Sequence, residues 1–133
     1  MVSIPEQRHA QPCRLNLPWR QLAADRAMLL DLDSGEYYEL GGSAPTIWKC
    51  LDGTRGFKEI ARQLVDIYQI DGGRAEGDLA DFIHELEELG LLSDSKQALG
   101  QEELSIDDNS VILSYQAPTI GNKGNLKYLG QLD

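Results

Sequence analysis

Between Ala27 and Leu40 two short runs rich in aliphatic and aromatic residues, Ala27-Met28-Leu29-Leu30-Asp31-Leu32 and Glu36-Tyr37-Tyr38-Glu39-Leu40, stand on either side of Asp33-Ser34-Gly35. A tight-turn tripeptide whose glycine can take a positive φ converts two such runs into a β-hairpin. A lone hairpin is marginal in water, so the residues after it have to supply cover for its apolar face. Three helical patterns follow. Gly41-Gly42 ends the second strand, and Ser43 is placed to cap a short helix that accepts Pro45 in its first turn and carries Ile47, Trp48 and Leu51. Asp52-Gly53 breaks it. Phe57, Ile60, Ala61, Leu64, Val65 and Tyr68 then have helical spacing, closed by Asp71-Gly72-Gly73. From Arg74 onward Ala75, Leu79, Phe82, Ile83, Leu86 and Leu89 mark a third helix that stops at Gly90.

Upstream, Arg14-Leu15-Asn16-Leu17 alternates and predicts a short strand stopped by Pro18, while residues 1–12 are polar, contain Pro5 and Pro12, and read as an arm. Strand, hairpin and three helices imply one α+β domain over residues 13–92. Residues 93–109 are polar and acidic without periodicity, the composition of a linker. Residues 110–133 form a tail in which Ser110-Val111-Ile112-Leu113-Ser114-Tyr115 is extended in propensity, and Pro118, Gly121, Gly124 and Gly130 forbid a long helix after it. As a flexible chain Ser93 to Ser114 spans an r.m.s. distance on the order of 25 Å, against a domain radius of gyration of about 13 Å. The tail can therefore reach the domain.

Composition excludes several functions. The 133 residues carry a formal net charge of −10, which disfavours DNA, RNA and anionic lipid as partners. From Glu76 to Asp108 the acids are faced only by Lys96 among lysines and arginines, so the partner is expected to be neutral or basic. No apolar run approaches the ~20 residues of a membrane helix, and Met1 to Gln11 lacks the apolar region of a secretory signal. A cytoplasmic location follows as an expectation. Cys13 and Cys50 stand far apart with no metal-ligand spacing around them, and neither His9 nor His84 is patterned with a cysteine. No nucleophile elbow, phosphate-binding glycine loop or metal-ligand set can be assembled. The expectation is a non-enzyme without cofactor or metal.

Taken in order, Leu29 to Leu32, the turn at Gly35, Tyr37 to Leu40, the Ile47-Trp48 helix, Leu51-Asp52-Gly53-Thr54, Ile60-Ala61 with Leu64, Tyr68, Ile70-Asp71, Asp78 with Phe82, and Leu86 to Leu92 resemble the PqqD-like family. Its members are leader-recognition elements for ribosomally made, post-translationally modified peptides. The resemblance implies a winged-helix domain of three antiparallel strands and three helices. Such a domain takes a precursor's leader as an added edge strand beside the third helix and delivers it to processing enzymes. A sheet edge offers the backbone groups such pairing needs.

The tail carries Tyr115-Gln116-Ala117-Pro118-Thr119-Ile120-Gly121-Asn122-Lys123-Gly124, a Tyr-x-x-Pro-x-aliphatic-x-x-x-Gly pattern that resembles the leader motif of lasso peptide precursors. The chain thus reads as a fusion of a leader-binding domain with a leader-like segment, the tail being a candidate extra edge strand, in cis or in a neighbouring molecule. The resemblance implies a groove of Tyr37, Tyr38, Glu39, Leu40, Asp78, Phe82 and Glu85, with Tyr115, Pro118, Ile120, Lys123 and Gly124 as leader contacts. On the third helix Leu79, Ile83, Leu86 and Gly90 are expected to face the core, and Ala75, Asp78, Phe82, Glu85 and Leu89 the groove. A leader peptidase and a macrocyclase are the implied enzyme partners. Two rivals stand beside this reading. One is a peptide carrier for another pathway, such as that of pyrroloquinoline quinone. The other is a nucleic-acid-binding winged helix, which the acids of Gly77 to Leu89 disfavour.

Overall fold

In the computed structural model, which describes residues 12–93 and 115–125, the hairpin turn is fixed by its own side chains. Asp31 Oδ1 accepts from the Asp33 and Ser34 amides at 3.0 and 3.5 Å, Ser34 Oγ accepts from the Glu36 amide at 3.2 Å, and Gly35 takes φ +80°. The strands it joins, β2 (Arg26–Leu30) and β3 (Glu36–Gly41), are the middle of a four-stranded antiparallel sheet. Strand β1 (Trp19–Ala23) pairs with β2 on one side, and β4 (Thr119–Asn125), from the tail, pairs with β3 on the other.

The strand expected over Arg14–Leu17 lies instead after Pro18. Residues 13 and 14 make only isolated bridges, Cys13 to Asp52 and Arg14 to Leu92. Arg14 is buried, donating from one guanidinium nitrogen to the carbonyls of Trp48, Lys49 and Leu51 at 3.0, 3.3 and 3.4 Å, with its guanidinium centre 5.8 Å from the rings of both Trp19 and Trp48. It thereby takes up carbonyls that the end of a short helix leaves open.

That helix, α1 (Ala44–Cys50), starts after Ser43 with Pro45 in its first turn, but the Ser43 side chain makes no cap. Helix α2 (Phe57–Tyr68) begins with the Glu59 carboxylate accepting from the Gly56 amide at 3.0 Å and ends at Gln69 with φ +57°. Asp71 does not close α2; it caps α3 (Gly72–Glu88), accepting from the Gly73 and Arg74 amides at 2.9 and 3.3 Å. At the far end Gly90 takes φ +73°, and the Leu91 amide returns to the Leu86 carbonyl, burying Leu91.

One face of the sheet, through Ala27, Leu29, Tyr38 and Leu40, closes on Ile47, Trp48, Leu64, Leu79, Phe82 and Leu86 from the helices. The other, through Met28, Leu30, Tyr37 and Glu39, is half-buried. Cys50 lies in the core, where burial pushes its thiol up to about 11. Asp52 and Arg55 form a buried ion pair at 3.0 Å. No helix among the described residues is long and apolar enough to cross a membrane. Apart from Pro12, Ser93 and residues 115–125, the arm, linker and tail read from the sequence lie outside the described residues.

Candidate peptide-binding groove

The groove lies between the β3 edge and the N-terminal half of α3, and residues 115–125 occupy it. Gly42 opens it. With φ +63° this residue sits in the left-handed region, and a Cβ there would land on the Ala117 carbonyl oxygen, so glycine is required twice over. The Ser43 amide donates to the Gln116 carbonyl at 3.0 Å. From Thr119 the register runs Gly41 to Thr119, Leu40 to Ile120, Glu39 to Gly121 and Tyr38 to Asn122. Ile120 therefore shares the core face with Leu40 and packs against the core.

Between Tyr38 and Tyr37 the partner jumps from Asn122 to Gly124, leaving Lys123 as the extra residue of a bulge. The Gly124 amide donates to Asn122 Oδ1 at 2.9 Å, and its φ of +145° is one that L side chains rarely adopt. A Cβ on Gly124 would stand 3.1 to 3.3 Å from the Tyr37 ring, which lies against it. Lys123 pairs with Glu39 at 3.4 Å, and Glu39 also holds Arg26 at 3.4 Å. The tail's lysine thus meets an acid of β3, not the acidic helix.

The aromatic anchor is Tyr115. Its hydroxyl donates to Asp78 Oδ2 at 2.6 Å, its ring meets that of Tyr68 edge-on at 5.3 Å between centroids, and the Arg74 guanidinium lies 4.7 Å over its face. Arg74 and Asp78 are themselves paired at 3.6 Å, one turn apart on α3. Tyr68 is held by a 2.9 Å hydrogen bond with Thr46. Burial foremost, then the Asp78 carboxylate, pushes the Tyr115 phenol up to about 12, with the nearby Ser43 hydroxyl and Arg74 opposing. Ser43 Oγ is buried and completes no hydrogen bond among the described residues.

Of the groove residues read from the sequence, Asp78 holds Tyr115, Tyr37 covers Gly124 and Glu39 meets Lys123, while Tyr38 and Leu40 line the core side of the paired strand. Tyr38 also donates to Glu36 at 3.2 Å, and burial first, then Glu36, raises its phenol. Phe82 lies in the core cluster against which Tyr115 and Ile120 pack. It is 1% exposed and belongs to the core, as does Ala75, because on a helix that covers a sheet the apolar stripe is wider than one row. Glu85 and Leu89 are exposed. Pro118 is half-buried just ahead of β4. Arg74, Tyr68, Ser43 and Gly42 were not foreseen as groove residues. Only the four-residue spacing of Arg74 and Asp78 hinted that they share a face.

An edge strand with paired backbone, an aromatic pocket beside the adjoining helix and glycines at the closest approaches form a receptor for an extended peptide. A family model described as coenzyme PQQ synthesis protein D (PqqD) matches residues 26–92, half of the chain. The chain belongs to the PqqD family. The matched span runs from β2 through the end of α3 and contains Gly42, Ser43, Tyr68, Arg74 and Asp78, the whole receptor side of the groove. Comparison with curated proteins and with solved structures gave no match. Among the described residues no cluster of histidine, cysteine, aspartate or glutamate could hold a metal ion. PqqD domains serve ribosomally made, modified peptides as peptide-binding chaperones, and the β3 edge and the Tyr115 pocket are where this chain meets an extended segment.

Proposed function

We propose that this PqqD-family chain binds the leader of a lasso-type precursor peptide as a strand added to β3, catalyses nothing itself, and hands the bound peptide to a leader peptidase and a macrocyclase. In this reading the domain is of the winged-helix type, works in the cytoplasm, and carries in residues 110–133 a fused leader-like segment that fills its own groove. The observation that carries it is the fit of the tail motif. Tyr115 donates to Asp78, Ile120 lies opposite Leu40 and Gly124 lies under Tyr37, so three of the four fixed positions have a defined contact. Full burial of such an anchor is worth about 1.5 to 3 kcal/mol, which for the half-buried Tyr115 and Ile120 is an upper bound before ordering costs.

The test uses the full chain with its own tail crippled, Tyr115→Ala with Ile120→Asp. A synthetic peptide of residues 110–125 should bind this variant and bind the wild type far more weakly, because the wild-type groove is filled. A folded double variant that takes up no peptide would refute the reading. For the lasso assignment, replacing Tyr115, Pro118 and Gly124 together in that peptide should remove its binding, whereas a scrambled spacing that binds equally well would point to a carrier of broader specificity.

A further inference from the structure

Away from the helices, the sheet is apolar at one end. Met28, Leu30 and Tyr37, with Pro18, Trp19 and Arg20, line an open cleft of about 330 Å3 in which Arg20 is the only charged lining residue among the described residues. Leu32, 66% exposed, sits in the turn beyond the same end of β2. Apolar surface gathered this way marks an interaction site more often than chance exposure.

Two features say what covers it. Strand β4 runs from Thr119 beside Gly41 to Asn125 beside Glu36, and Asn125 Nδ2 donates to the Ser34 carbonyl at 3.0 Å. A peptide in the groove therefore leaves the sheet at the hairpin-turn end, where Leu30, Tyr37 and Trp19 also lie. Tyr37 is moreover shared: its ring lies against Gly124 and also lines the cleft. We infer that the cleft docks the enzyme that cuts or modifies the peptide beyond the position of Asn125, a protein presenting an apolar side chain flanked by carboxylate. The apolar lining takes the side chain and Arg20 takes the carboxylate. Because a bound peptide fixes one wall, Tyr37, the enzyme binds the loaded receptor better than the empty one. This inference rests on the peptide-binding reading above.

The experiment titrates the purified leader peptidase of the same biosynthetic system onto immobilised full chain. Wild type is compared with Leu30→Glu and Arg20→Glu, and hydrogen exchange at residues 119–125 is followed in each. Arg20 is exposed, so its replacement leaves folding intact even if Leu30→Glu lowers the melting point. The expected result is at least tenfold weaker enzyme binding for Leu30→Glu and a severalfold loss for Arg20→Glu, with exchange at 119–125 unchanged. Wild-type affinity in both variants overturns the proposal. So does a wild-type chain that ignores the enzyme but dimerises through Leu30 in sedimentation, which would assign the cleft to a second copy. Free exchange of 119–125 in the wild type would instead refute the peptide reading, and the affinity ratios of the two cleft variants would then judge the cleft alone.

Discussion

Replacing Tyr115 with phenylalanine deletes one oxygen and leaves the ring between Tyr68 and Arg74, so it isolates the hydrogen bond to Asp78 from the burial of the aromatic. A hydrogen bond to a charged group contributes about 1.5 to 3 kcal/mol. Here the lower end applies. The Asp78 side chain is 27% exposed and keeps Arg74 at 3.6 Å, so the carboxylate left behind is neither dry nor alone. About 1.5 kcal/mol corresponds to a roughly tenfold rise in the opening equilibrium of the tail strand. Native-state hydrogen exchange reads that equilibrium at the amides of 119–125, while amides of α2 and α3 report global stability. Tyr115→Phe should raise opening about tenfold at the tail and leave the helices unaffected. Tyr115→Ala should open it further, since ring burial and the cation–π contact, about 0.5 to 1 kcal/mol, go as well. A phenylalanine variant whose tail exchanges at the wild-type rate would refute the assignment of Asp78 as the reader of the hydroxyl.

Gly42→Ala should detach the tail, because its Cβ meets the Ala117 carbonyl, and should also lower the melting point, because a side chain at φ +63° costs about 1 to 2 kcal/mol; loss of exchange protection at 119–125 beyond that of α2 and α3 is the readout. Phe82→Ala should cost global stability, about 3 to 5 kcal/mol as for a fully buried aromatic, measured by denaturant unfolding. Lys123→Ala should change tail opening by no more than about 1 kcal/mol, because its pair with Glu39 is exposed and screened by salt. Docking of Tyr115 should weaken in the alkaline range. The docked phenol is raised from 10.0 to about 12, so it holds its proton more tightly than the free one; its contribution is complete below about pH 10 and is lost as pH rises through about 12. Tyrosinate absorbance of wild type against Tyr115→Phe should show the late-titrating phenol.

The elements that announce themselves in this sequence are those whose signal is local. The β2–β3 turn carries its own hydrogen bonds in Asp31 and Ser34, and α2 and α3 have helical apolar spacing, so the hairpin and both helices follow from residues a few positions apart. Strand β1 is an edge strand with Arg20 and Gln21 exposed, and a half-wet strand lacks the alternation that Arg14 to Leu17 shows by accident. The third helix was misdivided for a geometric reason. Residues 75, 79, 82, 83 and 86 fall within one broad arc of a 3.6-residue period, with Phe82 at the edge of that arc nearest Asp78, so burial in the core and the stripe that carries Asp78 overlap at Phe82. That error points to where recognition lies. Once the apolar arc of α3 is spent on the core, what remains beside the β3 edge is Arg74 and Asp78, a charged pair that holds an aromatic ring by its face and its hydroxyl at once. A purely apolar pocket at that position would accept phenylalanine or leucine nearly as well as tyrosine, and the carboxylate at 2.6 Å is what makes the site demand a hydroxyl.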